Sequence, residues 1–205
     1  MGTFQDGDEL FNPLHLNPRG CSAPILDGQG NIAFAVSVQS SAPFVLILKL
    51  DADGNELARL HLDDNGRAPR LLQVPNGYLL IETNVRLPEE KEELLEYVLD
   101  SNLRVLSRRE IGRSKSNIFH SVEAAWKDLK DGIHLAGASF APKSEVFGMA
   151  IGYLNPKGVV VASRQSGFGT LWEPVGLVQG DGPNEVVLYV RSTNDVKLMK
   201  FRFSD

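Results

Sequence analysis

Four apolar stretches of this chain stop at a short acidic or amide turn: Lys49-Leu50-Asp51, Val98-Leu99-Asp100, Tyr153-Leu154-Asn155 and Phe203-Ser204-Asp205. The turn residues stand 49, 55 and 50 positions apart, so a unit of about fifty residues recurs along the whole 205-residue chain. A period of that size marks a supersecondary unit that buries its apolar face only by stacking on copies of itself. The scaffold is therefore the most legible property of the sequence.

The same order of segments recurs inside each unit. In the first, residues 31–39 read as a strand, 40–43 break it, 44–51 form a second strand, 52–55 turn, and 56–62 form a third. The second unit repeats this as 77–86, a charged break at 87–93, then 94–100, 101–102 and 103–111. The third follows as 132–140, 141–145, 146–155, 156–158 and 159–165. One more apolar segment precedes each trio, at 23–26, 70–74, 122–126 and 174–178. Pro88 and the glutamates after it could open a helix. Register with the other units instead makes 94–99 a strand and 88–93 a solvated loop, with a helix of one or two turns inside that loop as the exception.

The fourth unit supplies only two strands after its first segment, 185–193 and 196–203, and stops at Asp205 where a turn should begin. Its missing outer strand is expected at the other end of the chain. Residues 6–16 align with 52–62, sharing Asp, Gly, Glu-Leu and a closing Leu-His-Leu. Residues 10–16 should then lie antiparallel to 196–203, and Pro13 suits an outer strand with one unpaired edge.

Four antiparallel strands per unit, joined by Gly, Asn and Asp turns, resemble the β-propeller repeat proteins. Within them the chain is most similar to the quinoprotein-like and related bacterial repeats, in which a strand ends in Leu-Asp, turns through Gly and resumes as an apolar strand. It has neither the Gly-His and Trp-Asp pair of the WD40 class nor the tandem Gly-Gly of the kelch class. The resemblance implies an all-β fold: one small propeller of four blades, at about 18–66, 67–113, 114–167 and 168–205 plus 4–17, closed by the amino-terminal strand. A half-ring pairing with a second copy, a fragment of a larger propeller and a different β fold are the alternatives.

Composition narrows the partners. A net charge of −5 and a pI near 5.4 argue against a nucleic-acid surface, which needs excess Lys and Arg to displace counterions. The single cysteine, Cys21, rules out an intrachain disulfide. No window approaches the roughly 18 apolar residues of a membrane span, and the first residues carry no basic and apolar leader. The expectation is a soluble monomer, with a dimer as the alternative, in the cytoplasm as written. A periplasmic or secreted location follows if a signal peptide has been removed.

No residue set spells out a reaction. Asp51-Ala52-Asp53-Gly54-Asn55 could suggest calcium, but an EF-hand loop wants Gly sixth and Glu twelfth, where this chain has Glu56 and Leu62. A hairpin turn explains the same residues, as it does for 27–31 and 179–184. His15, His61, His120 and His134 lack ligand spacing, so no metal and no cofactor is expected. Ser163-Arg164-Gln165-Ser166-Gly167 is not a nucleophile elbow. Arg19 near Cys21 could lower the thiol pKa, although a lone loop cysteine is ordinarily a bystander.

Strand order separates two ends of each blade. One end carries tight, interchangeable turns at 27–31, 52–55, 75–77 and 156–158; the other carries dissimilar loops at 17–22, 63–70, 112–117 and 165–173. Function concentrates on irregular loops held by a rigid scaffold. Those loops bring Arg19, Arg67, Arg70, Arg113 and Lys115 near His120, Phe168 and Trp172, a combination suited to a protein partner or to an anionic or sugar-like ligand. The bland alternative makes these loops merely solvated and Trp172 a core residue. The leading reading is a non-enzymatic binding module of adaptor or toxin-neutralising type. Its alternative is a carbohydrate or small-molecule binder, hydrolase or lyase using Glu82 or Glu123 with His120 at a channel mouth.

Overall fold

The computed structural model describes residues 17–39, 41–86, 91–112, 119, 121–128, 130–141, 146–165, 173–182, 185–191 and 195–203. They form two compact units, one of residues 1–91 and 95–109 and one of residues 92–94 and 110–205. The described part of each unit consists of two antiparallel sheets.

In the first unit, β1 (Asn17–Cys21), β2 (Ile25–Leu26), β3 (Ile32–Gln39), β4 (Phe44–Leu50) and β5 (Glu56–Leu62) make one sheet, with β1 and β2 both paired to β3. The other runs in sequence order through β6 (Gly66–Val74), β7 (Gly77–Arg86), β8 (Lys91–Asp100) and β9 (Val105–Ile111). The second unit holds β10 (Ser121–Lys127), β11 (Ile133–Ala141), β12 (Val146–Leu154) and β13 (Val160–Gln165), then β14 (Glu173–Gln179), β15 (Glu185–Arg191) and β16 (Val196–Arg202). Four consecutive meanders are the predicted blade pattern. The fourth sheet has three strands among the described residues, and the segment expected to complete it, 10–16, lies outside them.

Each unit buries the facing residues of its two sheets. Ala33, Ala35, Val45 and Ile47 pack against Leu71, Tyr78, Leu80, Leu95, Tyr97 and Leu99 in the first. Ala124, Ala136, Met149 and Ile151 meet Leu177, Val186, Leu188 and Val190 in the second. The period-2 alternation of β3 and β4 sets these faces. Fully buried side chains such as Ile47 and Leu80 contribute about 1.5–3 kcal/mol each by leaving water.

One chemistry builds five of the tight turns. Asp27, Asp51, Asp100, Asp128 and Asn155 each accept, on one side-chain oxygen, the N–H groups two and four residues later, at 2.7–3.1 Å. The fourth residue of every such turn is left-handed: Gly30, Gly54 and Gly158, but also Leu103 and Asp131, both at φ 63°. Asn55 Nδ2 donates to the second oxygen of Asp51 at 2.9 Å, so the carboxylate is engaged within its own turn. The turn reading of 51–55 holds.

The innermost strands begin earlier than predicted. Residues 17–21 and 66–70, read as loop, are strand: Asn17 to Cys21 pair with Gln39 to Val36, and Gly66 to Arg70 with Asn84 to Ile81. Without them the second halves of β3 and β7 would present bare N–H and C=O groups. Pro18 and Pro69 are tolerated because an innermost strand has one unpaired edge. Between β1 and β2, Ser22 continues the ladder, its Oγ accepting the Ala35 N–H at 2.9 Å. All four inner strands are irregular in register, between Pro18 and Gly20, Arg67 and Arg70, Val122 and Ala124, and Pro174 and Gly176. Such bulges re-aim the side chains around them.

Candidate functional site

The end of the first unit where β5 passes to β6 concentrates its unusual polar groups. Arg67 and Arg70 flank the β6 bulge, where Ala68 takes φ 47°. Arg67 stands opposite Thr83 and Arg70 opposite Ile81. Ile81 and Thr83 are two apart on β7, so all four side chains share one face of the sheet.

The two arginines differ in what holds them. Arg70 Nη1 donates to the carbonyls of Pro69 at 2.9 Å and Cys21 at 3.3 Å, which ties β6 to β1. Arg67 is half-buried, and its Nε is buried with no hydrogen-bond partner. The Thr83 hydroxyl beside it is fully buried and equally unpartnered. Arg67 is thus a half-buried cation with an unpartnered donor, standing beside a hydroxyl sealed from solvent.

On the opposite face of the same strands lies an acid. Glu82 is fully buried, and neither carboxyl oxygen has a hydrogen-bond partner. A Cβ on Gly66 would sit 2.5 Å from its Oε2, so only glycine lets the carboxyl lie against β6. Burial, reinforced by the charge of Asp64 and eased by Arg108, raises its pKa from 4.5 to about 8. Glu82 is therefore a neutral acid at pH 7. Asp64 accepts a hydrogen bond from the Tyr97 hydroxyl; Arg108 Nε donates to that hydroxyl at 2.8 Å, and Arg108 Nη2 lies 3.5 Å from Asp64 Oδ1. Burial and then the bond to Asp64 push the Tyr97 pKa up, so the phenol stays protonated.

Several expectations change here. Arg67 and Arg70 are inner-strand residues, not loop residues, and Arg19 sits at the bulge of β1. Arg113, Lys115, His120, Phe168 and Trp172 lie outside the described residues. Glu82 is fully buried and faces the core of its unit. Glu123, at the bulge of β10, accepts a 2.7 Å hydrogen bond from Ser121. The Arg19 side chain lies outside what is described; Arg70 is a charge beside Cys21, and burial outweighs it, so the thiol pKa is raised, which argues against a nucleophile. His61 packs on the Phe44 ring at 4.2 Å, and His134 is enclosed by Trp126, Tyr153 and Phe203. Among the described residues no group of three His, Cys, Asp or Glu could hold a metal, and no helix is long and apolar enough to cross a membrane.

Sequence reading missed Thr83, Asp64, Tyr97 and Arg108. A Thr in an apolar strand and an Asp in a polar turn look ordinary, and only the β6–β7–β8–β9 pairing of the second sheet brings Thr83, Tyr97 and Arg108 together beside the turn that carries Asp64.

No family model and no curated protein matches this chain. Solved structures do. The GH43_1 enzyme from Xanthomonas citri complexed with xylotriose aligns over 91% of this chain and 71% of its own, at 13% identity and a TM-score of 0.58. The β-propeller domain of the Trilobed protease from Pyrococcus furiosus aligns over 92% of this chain and 56% of its own, at 13% identity and 0.53. The fold is a β-propeller. Its four sheets are the blades, and at such identities the likeness extends to the fold alone. A protein of unknown function from Bacteroides caccae is similar as well, at 14% identity and a TM-score of 0.50 over 91% of this chain and 61% of its own.

Proposed function

We propose that this chain is a non-enzymatic binding module, of adaptor or toxin-neutralising type, whose first unit holds an acidic segment of a protein partner at the Arg67 end. One observation supports the reading above others: Arg67 has no counter-ion among the described residues although it stands on a paired strand beside the unpartnered Thr83. A half-buried guanidinium loses less freedom on meeting a carboxylate than a fully exposed one, and bidentate geometry adds selectivity. Arg70 adds a second cation across the bulge. The Leu-Asp strand ends and Gly turns put its repeats, on this reading, beside the quinoprotein-like propellers.

A glycoside hydrolase reading draws on the GH43 neighbours but needs two carboxyl groups that touch substrate. Glu82 is enclosed, so that pair is not available from the residues first considered. The test is fluorescence anisotropy of a labelled poly-glutamate peptide at low salt against the intact chain. Saturable binding that Arg67→Glu abolishes and Arg67→Lys weakens, with unchanged melting temperature, supports the reading. Equal binding by wild type and Arg67→Glu overturns it.

A further inference from the structure

The opposite end of the first unit carries a cleft of ≈480 Å³ whose walls are turns. That size lies within the ~300–1,000 Å³ typical of small-ligand sites. Among its lining residues, Asp27 and Gln29 come from the turn between β2 and β3, Asn76 from the turn between β6 and β7, and Asn102 from the turn between β8 and β9, with Gln73 and Lys49 from the strands beside them.

The floor is charged but self-neutralising. Lys49 Nζ lies 3.1 Å from Asp27 Oδ2, with both side chains about nine-tenths buried. It also donates to the Ser101 carbonyl at 3.3 Å and stands 5.9 Å from the Tyr78 ring centroid. Asp27 in turn accepts the N–H groups of Gln29 and Asn31 and the Asn31 side-chain amide, each at 2.9 Å. These bonds hold the Asp27 carboxyl well below the usual carboxylate range, with the Asn31 side-chain bond the largest cause. Neither charge is left over to attract an ion.

What remains open is amide. The side chains of Gln73, Asn76 and Asn102 make no hydrogen bond among the described residues, and each offers both donor and acceptor to the cleft. A hydroxyl is also both, so a row of hydroxyls pairs with these amides in either sense. The walls are preorganised, because the side-chain oxygens of Asp27 and Asp100 lock the two turns that carry Gln29 and Asn102. We infer that this cleft binds a neutral, polyhydroxylated ligand of about disaccharide size. The site is separate from the arginine end and does not depend on the acidic-partner reading.

The experiment is an amide chemical-shift titration of the intact chain with maltose, cellobiose and N,N′-diacetylchitobiose, with glucuronate as the charged control. At least one neutral sugar should saturate in the millimolar range and move the signals of residues 27–29, 73–77 and 101–102. The variant Gln73→Ala with Asn102→Ala, which removes two exposed side chains, should weaken that sugar about tenfold, as loss of two hydrogen bonds implies, with an unchanged melting temperature. Absence of saturable shifts with all three sugars, shifts centred elsewhere, unchanged affinity in the variant, or tighter binding of glucuronate each overturns the assignment.

Discussion

Glu82 makes the stability of this protein fall as pH rises from the acid side, and a single amide substitution should remove the effect. Below pH 4.5 the carboxyl is protonated in both the folded and the unfolded chain, and it contributes no pH dependence. Above 4.5 the unfolded chain releases a proton that the folded chain keeps until about pH 8. Stability is then lost at ~1.4 kcal/mol per pH unit, or about 3 kcal/mol by pH 7, levelling at about 5 kcal/mol beyond pH 8. Glu82→Gln keeps the shape and most of the polarity but does not titrate. Urea unfolding followed by circular dichroism at pH 4.5, 7 and 8.5 should show the variant gaining on the wild type by those amounts, while shared contributions cancel in the difference. A gap that changes by less than about 1 kcal/mol across the range, or that narrows as pH rises, would refute the account of Glu82 as a buried neutral acid.

Three further outcomes follow from the same geometry. Gly66→Ala sets a methyl 2.5 Å from Glu82 Oε2 and 2.6 Å from Val45 Cγ2, and should cost about 1–3 kcal/mol in thermal melts, with partial rescue by Glu82→Ala. Asp128→Ala deletes the acceptor of two backbone N–H groups at 2.7–2.8 Å and should cost about 1–2 kcal/mol, whereas Asp128→Asn, the chemistry already present at Asn155, should cost less. His134 has its pKa lowered by burial, opposed by Asp128 3.5 Å away, so the unfolded imidazole takes up a proton below pH 6.5 that the folded one refuses; acidification should destabilise the second unit, and His134→Phe should flatten that slope in pH-dependent melts.

The turns were legible because their chemistry is local. An Asp or Asn followed three residues later by Gly carries its own acceptor and its own left-handed position, and both appear in sequence at 27–30, 51–54 and 155–158. Asp100 and Asp128 run on the same bonds with Leu103 and Asp131 at that position, so the acceptor is the more constant half of the signal. The starts of the inner strands were not legible for the opposite reason. Asn17-Pro18-Arg19-Gly20 and Gly66-Arg67-Ala68-Pro69 have the composition of loops, and what makes them strands is the bare edge of β3 or β7 lying alongside. The same displacement separates Arg67 and Arg70 as expected from Arg67 and Arg70 as found: their composition marks them as charge on a loop, and pairing with β7 makes them charge on a rung.

The two ends of the first unit manage polarity in contrary ways. At the turn end the buried charges Asp27 and Lys49 hold one another, and backbone N–H groups bond the Asp27 carboxylate as well. At the other end Arg67, Glu82 and Thr83, on adjacent rungs of one strand pair, all hold buried polar atoms without partners. Each such atom costs roughly 1–3 kcal/mol against a satisfied one, so the four on these three residues are a large fraction of what a small domain can spare. Apolar residues of similar size would serve the fold better at these positions, as they do at Leu71, Leu80 and Ile81 on the same strands. Local conflict with folding is where binding sites are found in proteins that are otherwise self-consistent. Replacing Thr83 by Val tests this without touching a charge. The fold should gain stability because an unpaired hydroxyl is gone, and poly-glutamate binding should hold, because a hydroxyl with no solvent exposure meets no peptide. Greater stability with unaltered binding would confine the site to the guanidinium alone.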